Sequence, residues 1–216
     1  MVLTLYKLDA SPPVRAVYMT IEALNLSDVQ YIDTNLFKGE HLTEEFIQMN
    51  PQHTIPTLKE DDFVIWDSHA ICGYLIAKYG KDDSLYPTEP KQRAIIDQRL
   101  HFDSGVLFPA IRGTLEPILF HGQKYIKDED IVKINSAYTL IEKFFTAPWL
   151  AGDELTLADI CCVSSISTLN EIVPINGSLY PNLLAWLERC SNEDICKKGN
   201  EPGLLQIRQM LKSKLE

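Results

Sequence analysis

No apolar run in this 216-residue chain approaches the ~20 residues that a bilayer-spanning helix needs. The opening stretch, Met1 to Leu8, lacks a basic region, a long apolar core and a small-residue cleavage site. It reads as a strand, not as a signal peptide. Cysteine is sparse: Cys72, Cys161, Cys162, Cys190 and Cys196 are odd in number and contain no Cys-x-x-Cys pair. That argues against a disulfide framework and a zinc site, and for a reducing compartment, most simply the cytosol. Positive charge is also short, 20 Lys and Arg against 30 Asp and Glu, for a net charge of −10. Nucleic acid and anionic membranes are poor partners for such a chain. Neither the 12 prolines nor the 10 glycines suggest a fibrous or disordered protein. What remains, 45% hydrophobic and 23% charged residues, is an ordinary globular composition long enough for one or two domains.

Val2 to Leu8 is short and apolar, and Pro12-Pro13 come next. Val14, Val17, Tyr18, Ile21 and Leu24 recur at helical spacing, so a helix begins near Pro13 and ends near Asn25. Val29 to Asp33 reads as a second strand, completing a βαβ unit. Thr43 to Met49 reads as a short helix, broken by Asn50-Pro51. Thr57 to Lys59 and Phe63 to Trp66 read as strands joined by an acidic turn, and Ser68 as the N-cap of a helix reaching Tyr79. Gly80 to Pro90 has linker composition. Beyond it only helices are expected: Lys91 to His121, bent or interrupted by Pro109, Gly113 and Pro117; Asp128 to Phe145; Thr156 to Ile172; Pro181 to Arg189; and Pro202 to Lys214. Thr156-Leu157-Ala158-Asp159 has the form of a capping box and is read as a folding element. The expected architecture is an α/β domain (1–80), a linker (81–90) and an all-α domain (91–216).

Three stretches carry chemistry. In Asp9-Ala10-Ser11-Pro12-Pro13-Val14-Arg15, Ser11 faces the positive end of the first helix, a place that favours an anion. A plain N-cap role for Ser11 is the competing reading. In Asn50-Pro51-Gln52-His53-Thr54-Ile55-Pro56-Thr57-Leu58, a proline leads straight into a strand, which a cis Ile55–Pro56 bond would explain. The Ile55 backbone would then be open to an extended peptide adding as a strand. In Asp67-Ser68-His69-Ala70-Ile71, a helix N-terminus suits a ligand carboxylate and Asp67 suits an ammonium, the two groups of an α-amino acid end.

In this order, the three stretches resemble the glutathione-binding domain of insect delta and epsilon glutathione transferases. The resemblance continues through Ser84-Leu85-Tyr86-Pro87 and Leu150-Ala151-Gly152-Asp153, and so covers nearly the whole chain. Asn35-Leu36-Phe37-Lys38-Gly39-Glu40-His41 and the Asp67-Ser68-His69 form point to epsilon over delta. The resemblance implies a thioredoxin-like N-terminal domain, a C-terminal helical-bundle domain, a cytosolic homodimer, glutathione as co-substrate and no metal. It gives Ser11 the role of hydrogen-bond donor to the glutathione thiolate. Thiols at helix N-termini fall from ~8.5 to between ~3.5 and ~7.5 in pKa, which makes that role physically reasonable. Tyr6 is the competing donor and is read as strand packing.

By the same resemblance the Ile55 backbone pairs with the cysteinyl part of glutathione, Pro56 holds the cis turn, Thr54 belongs to the glutathione-binding set, and Asp67 and Ser68 hold the γ-glutamyl end. His41 and His53 lie along the glycine end, with ordinary exposed polar residues as the alternative. Arg112 reaches toward glutathione or pairs with Glu116 at i+4. His69 and His101 are read as structural. Pro13, Leu36, Phe108, Ile111, Leu115, Leu119, Phe120 and Leu205 are expected to line an apolar second-substrate site where the domains meet. Phe108, Ile111 and Leu115 share a helical face that would serve equally as interhelix core.

The activity implied is conjugation of glutathione to hydrophobic electrophiles in detoxification, with peroxidase or dehydrohalogenase side activities. Thiol–disulfide exchange would need a cysteine at the first helix, where Ser11 stands. A carrier of apolar, steroid-like ligands that binds glutathione with little turnover is the alternative.

Overall fold

The computed structural model describes residues 2–215; Met1 and Glu216, the outermost residues of the two expected domains, lie outside the described residues. Four strands form one mixed sheet in the order β2-β1-β3-β4. β1 (Leu3–Lys7) runs parallel to β2 (Val29–Asp33), with Leu3 beside Val29. β3 (Thr57–Glu60) is antiparallel to β1, with Leu58 opposite Leu5, and β4 (Phe63–Trp66) is antiparallel to β3. The parallel pair needs a crossover, and α1 (Pro12–Ala23) supplies it. Pro12 and Pro13 hold the φ values of the first helical turn in advance. Val14, Val17 and Ile21, three and four residues apart, put one apolar stripe into the core.

Two 3-10 turns, Leu36–Lys38 and Glu40–Leu42, lead from β2 to α2 (Glu44–Met49). The Ile55–Pro56 peptide is cis, as the proline before β3 suggested. Asn50 is fully buried and braces this loop, its Nδ2 donating to the Thr54 carbonyl at 3.0 Å and to Thr57 Oγ1 at 2.9 Å. α3 (Ser68–Tyr79) is capped by Asp67, not by Ser68. Asp67 stands at φ 73°, a left-handed conformation that Asp tolerates, and its Oδ1 accepts from the His69 and Ala70 amides.

The second half is built of helices, with no strand among its described residues beyond a single bridge between Trp149 and Gly152: α4 (Pro90–Phe102), α5 (Phe108–Phe120), α6 (Asp128–Glu142), α7 (Leu157–Ile172), α8 (Pro181–Asn192), α9 (Asp194–Gly199) and α10 (Glu201–Leu215). The interruption expected at the prolines lies instead at a π-turn over Asp103–Leu107. Pro109 is the second residue of α5, which continues directly from that π-turn, and Pro117 is carried inside the helix. The short α9 is not among the helices expected from sequence.

α7 is buried on nearly all sides and starts at the expected box. Asp159 accepts from the Thr156 amide at 2.9 Å, and also from the Leu150 amide (2.9 Å) and Trp186 Nε1 (2.8 Å). Its role is structural, as the capping pattern indicates.

The two halves are joined through α1, which packs on α3 within its own half and on α7 and α9 across the boundary. Glycines make the join close. A Cβ at Gly199 would sit 2.7 Å from the Met19 amide nitrogen, and one at Gly203 2.0 Å from the Asp9 carbonyl oxygen. Arg15 crosses the same boundary with no exposed surface.

Candidate active site

A cleft of about 780 Å³ lies between the sheet half and the helical half. Ser11 stands on its wall at the N-cap position of α1. Its backbone is tied down, the amide donating to the Leu8 carbonyl at 2.9 Å and the carbonyl accepting from the Arg15 amide at 3.1 Å. Its hydroxyl makes no capping hydrogen bond to the helix. Ser11 thus occupies the cap position while its side chain is left for other partners. The bed of free helix amides is thinner than expected. Residues 12 and 13 are both proline, so the Val14 amide is the one N–H left in that first turn.

Thr54, Ile55, Pro56, Asp67 and Ser68 line the same wall. His41 lines it too, with its Nδ1 buried and unpartnered among the described residues. Burial, and then the neighbouring His53 ring 6.1 Å away, push its pKa down. His53 itself stands beside His41 and is not part of the wall. Tyr6 packs edge-on against Phe46 at 5.7 Å, in the apolar cluster behind the wall. It is strand packing, as expected.

At the other end stand Pro13, Leu36, Phe108, Leu115, Leu119 and Phe120. Ile111 does not reach the cleft: it is 2% exposed and belongs to the helical core. Leu205 is half exposed and also off the wall, where α10 places Ile207 and Met210 instead. Arg112 lines the cleft and donates from Nε to Glu116 Oε2 at 2.8 Å, the i+4 pair that was one of its two readings.

Sequence reasoning missed several wall residues. His69, read as structural, lines the cleft, bonded through Nε2 to Asp103 Oδ2 at 2.8 Å and through Nδ1 to Ser104 Oγ at 3.1 Å. Burial pushes its pKa down, but the hydrogen bond to Asp103 prevails and raises it. Asp103 and Ser104 come to the cleft on the π-turn, which has no sequence signal. Gln52 joins the wall with its side-chain oxygen held by Trp66 Nε1 at 3.0 Å. Phe37 meets Phe120 across the boundary, rings stacked at 4.8 Å. Its place next to Leu36 in the loop after β2 could have flagged Phe37; nothing local could have flagged Asp103.

A four-stranded mixed sheet crossed by α1, with a serine at that helix's start and a cis-proline loop beside it, joined to an all-helical half, defines a two-domain architecture with a shared cleft. Residues 5–85 match the family model of the glutathione S-transferase N-terminal domain, and residues 95–194 that of the glutathione S-transferase C-terminal domain. The chain belongs to the glutathione S-transferase family, with a thioredoxin-like N-terminal domain and a helical C-terminal domain. It is 62% identical to glutathione S-transferase 1 of Manduca sexta over the full length of both chains. An epsilon-class glutathione S-transferase from the housefly, Musca domestica, superposes with a TM-score of 0.95 at 45% identity, covering 98% of each chain. A glutathione transferase homologue from Drosophila mojavensis, solved with bound glutathione, gives 0.94 at 44% identity, covering 99% of this chain and 97% of that one. The Bombyx mori glutathione transferase BmGSTD1 gives 0.89 at 40% identity, covering 97% and 98%. No helix among the described residues is long and apolar enough to cross a membrane.

Proposed function

We propose that this chain conjugates reduced glutathione to hydrophobic electrophiles, with Ser11 donating a hydrogen bond that keeps the glutathione sulfur charged. The observation that carries this reading is the Ser11 hydroxyl, which sits at a helix start on the cleft wall and is not used to cap the helix. A hydrogen bond to an anion is stronger than one between neutral groups, so the donor stabilises thiolate over thiol. The positive end of α1 acts in the same direction.

Residues 1–80 form the glutathione-binding domain, 81–90 the linker, and 91–216 the domain that supplies the second-substrate site. Ile55 presents its backbone to the cysteinyl part of glutathione. Asp67 and Ser68 hold the γ-glutamyl end, and His41, with its unpartnered Nδ1, meets the glycine carboxylate. Leu36, Phe108, Leu115, Leu119 and Phe120 receive the electrophile. Bringing sulfur and electrophile together in one cleft turns a bimolecular encounter into an internal one. Detoxification in the cytosol by a homodimer is the setting this chemistry fits, and the glutathione-bound relative supports glutathione as the co-substrate.

The test is turnover of a chlorodinitrobenzene-type electrophile by wild type and Ser11→Ala, alongside glutathione binding. Loss of most activity with binding retained supports the assignment. Equal activity removes Ser11 from the mechanism and returns Tyr6 and the helix dipole to consideration. A wild type that binds glutathione and turns nothing over would be a carrier of apolar ligands.

A further inference from the structure

Arg15 is the least expected buried group in the molecule. It lies one helical turn after Ser11 on α1 and has no exposed surface. Its Nη1 donates to Asn200 Oδ1 at 2.5 Å and to Ser167 Oγ at 3.4 Å. Its Nη2 donates to the Ser164 carbonyl at 3.1 Å and to Thr168 Oγ1. Its Nε is buried and has no partner among the described residues. Every acceptor is neutral. A buried cation normally sits against a carboxylate, because neutral oxygens repay only part of the hydration it loses.

The surrounding charges are committed elsewhere. Among the described residues, Glu171, on α7, is the carboxylate whose charge acts on the guanidinium, and it is held by Arg208 of α10 at 2.6 and 2.8 Å. Asp9 accepts from Lys7 and from Tyr18. On α9, Lys198 pairs with Glu22 of α1, and Lys197 with Asp194. On α3, His69 is bonded to Asp103, and Cys72 is a fully buried thiol, as are Cys161 and Cys162 on α7. Cys196 of α9 is buried against Met19, and Glu201 is exposed at the head of α10. Burial pulls the Arg15 pKa down to about 9, the mark of a positive charge in want of a neighbour.

Long side chains on a helix lean toward its N-terminus, which carries the guanidinium back toward Ser11. Its far contact fixes the place: Ser164, whose carbonyl it holds, lines the same cleft as Ser11. We propose that Arg15 is a positioning residue for the thiolate: its un-neutralised guanidinium, set behind the cleft wall, is the positive charge that the glutathione thiolate answers. This deepens the Ser11 reading and rests on it. Ser11 supplies the local hydrogen bond, and Arg15 the field, which a dry, low-dielectric wall transmits with little screening. It also compensates for the two helix amides that Pro12 and Pro13 remove.

The decisive variant is Asn200→Asp. It keeps the shape and the Oδ1 acceptor, gives up the Nδ2 donation to Ser167 Oγ at 3.2 Å, and places a carboxylate on the guanidinium. The readout is the pKa of the bound glutathione thiol, followed by thiolate ultraviolet absorbance, with S-methylglutathione as a ligand that has no thiol to ionise. Wild type should show a depressed thiol pKa, and Asn200→Asp should raise it by about one unit while leaving S-methylglutathione affinity within about twofold. The pH profile of kcat/KM should move by the same amount. If Asn200→Asp does not fold, Arg15→Lys, which keeps the charge, should hold the wild-type thiol pKa while Arg15→Gln raises it. A depressed wild-type pKa that these variants leave in place overturns the Arg15 inference alone. Parallel losses for glutathione and S-methylglutathione also overturn it, because they mark a purely structural role. A wild type whose bound sulfur is an uncharged thiol at neutral pH overturns the Ser11 reading and this inference together.

Discussion

The two ends of the cleft are built differently. At the sheet end, several wall residues are held by hydrogen bonds: Asn50 braces Thr54, Trp66 holds Gln52, Asp67 caps α3, and Asp103 and Ser104 fix both nitrogens of His69, while the Ser11 hydroxyl caps nothing and His41 Nδ1 has no partner among the described residues. At the helical end, Phe37 and Phe120 are 47% and 43% exposed and rest mainly on each other. A site for one invariant ligand gains from groups locked in place before binding, since ordering costs are then already met. A site for varied apolar molecules gains from side chains that shift at little cost, and an exposed aromatic pair worth about 0.5–1.5 kcal/mol is such a device. On the proposed function, specificity for glutathione and tolerance toward electrophiles would fall to different parts of one cavity.

Substitutions should expose that contrast. The largest effect is expected from Ser11→Ala. Losing a hydrogen bond to a charged sulfur costs about 1.5–3 kcal/mol, so kcat/KM should fall about 10- to 100-fold with glutathione affinity nearly intact. If glutathione affinity collapses with it, the rigid end is a binding device and not an activating one.

Asp67 separates shape from charge. Asp67→Ala removes the α3 cap and should lower stability by about 1 kcal/mol in denaturant unfolding, as well as weakening glutathione binding. Asp67→Asn keeps the cap and the left-handed backbone but not the charge, so only glutathione affinity should drop. Equal affinity for Asn and Asp would remove the ammonium contact.

His69 makes the rigid end pH-sensitive. Its folded pKa is raised above the unfolded 6.5, so the stability it contributes is fully present below pH 6.5 and is lost as pH rises through the folded value. Unfolding free energies measured across that range should show the decline in wild type and a flatter response in Asp103→Asn.

The smallest effect belongs to the loose end. Phe37→Ala should change stability by no more than about 1 kcal/mol, because the ring is half exposed, and should leave glutathione affinity unchanged. Its mark should be an altered ratio of kcat/KM between planar aromatic and aliphatic electrophiles. A glutathione defect in this variant would break the division between the two walls.

The same division runs through what is legible in the sequence. The sheet end is legible because its devices are local: a serine before two prolines, a proline before a strand, an acid and a hydroxyl at a helix start. Even the cis Ile55–Pro56 bond has a local cause. The exchange of Ser68 for Asp67 as cap is not legible, because both residues cap well and the choice depends on the φ of 73° that the turn imposes. The helical end is harder to read. Prolines are visible in sequence and a π-turn is not, so the break is expected between Pro109 and Pro117 and lies at Asp103–Leu107. An extra residue in a turn rotates the rest of the helix by about 100°. That phase sets which face of α5 turns toward the cleft; Phe108 and Leu115 line it, and Ile111, on the same face, stays in the core. Leu205 misses the wall for a related reason, since the orientation of α10 depends on Gly203 packing against Asp9, a contact far from it in sequence.

The glycine contacts at 199 and 203 also determine how the cavity can breathe. Where backbone lies directly on backbone, there is no cushion of side chains for one half of the molecule to roll over. A clamshell motion about the α1 junction would have to tear that seam and the Arg15 bonds beside it. Phe37 and Phe120, half exposed and stacked at 4.8 Å, meet across the same boundary through side chains, which can shift where backbone cannot. The stiff part of the boundary is thus the glycine seam, and the yielding part a pair of rings.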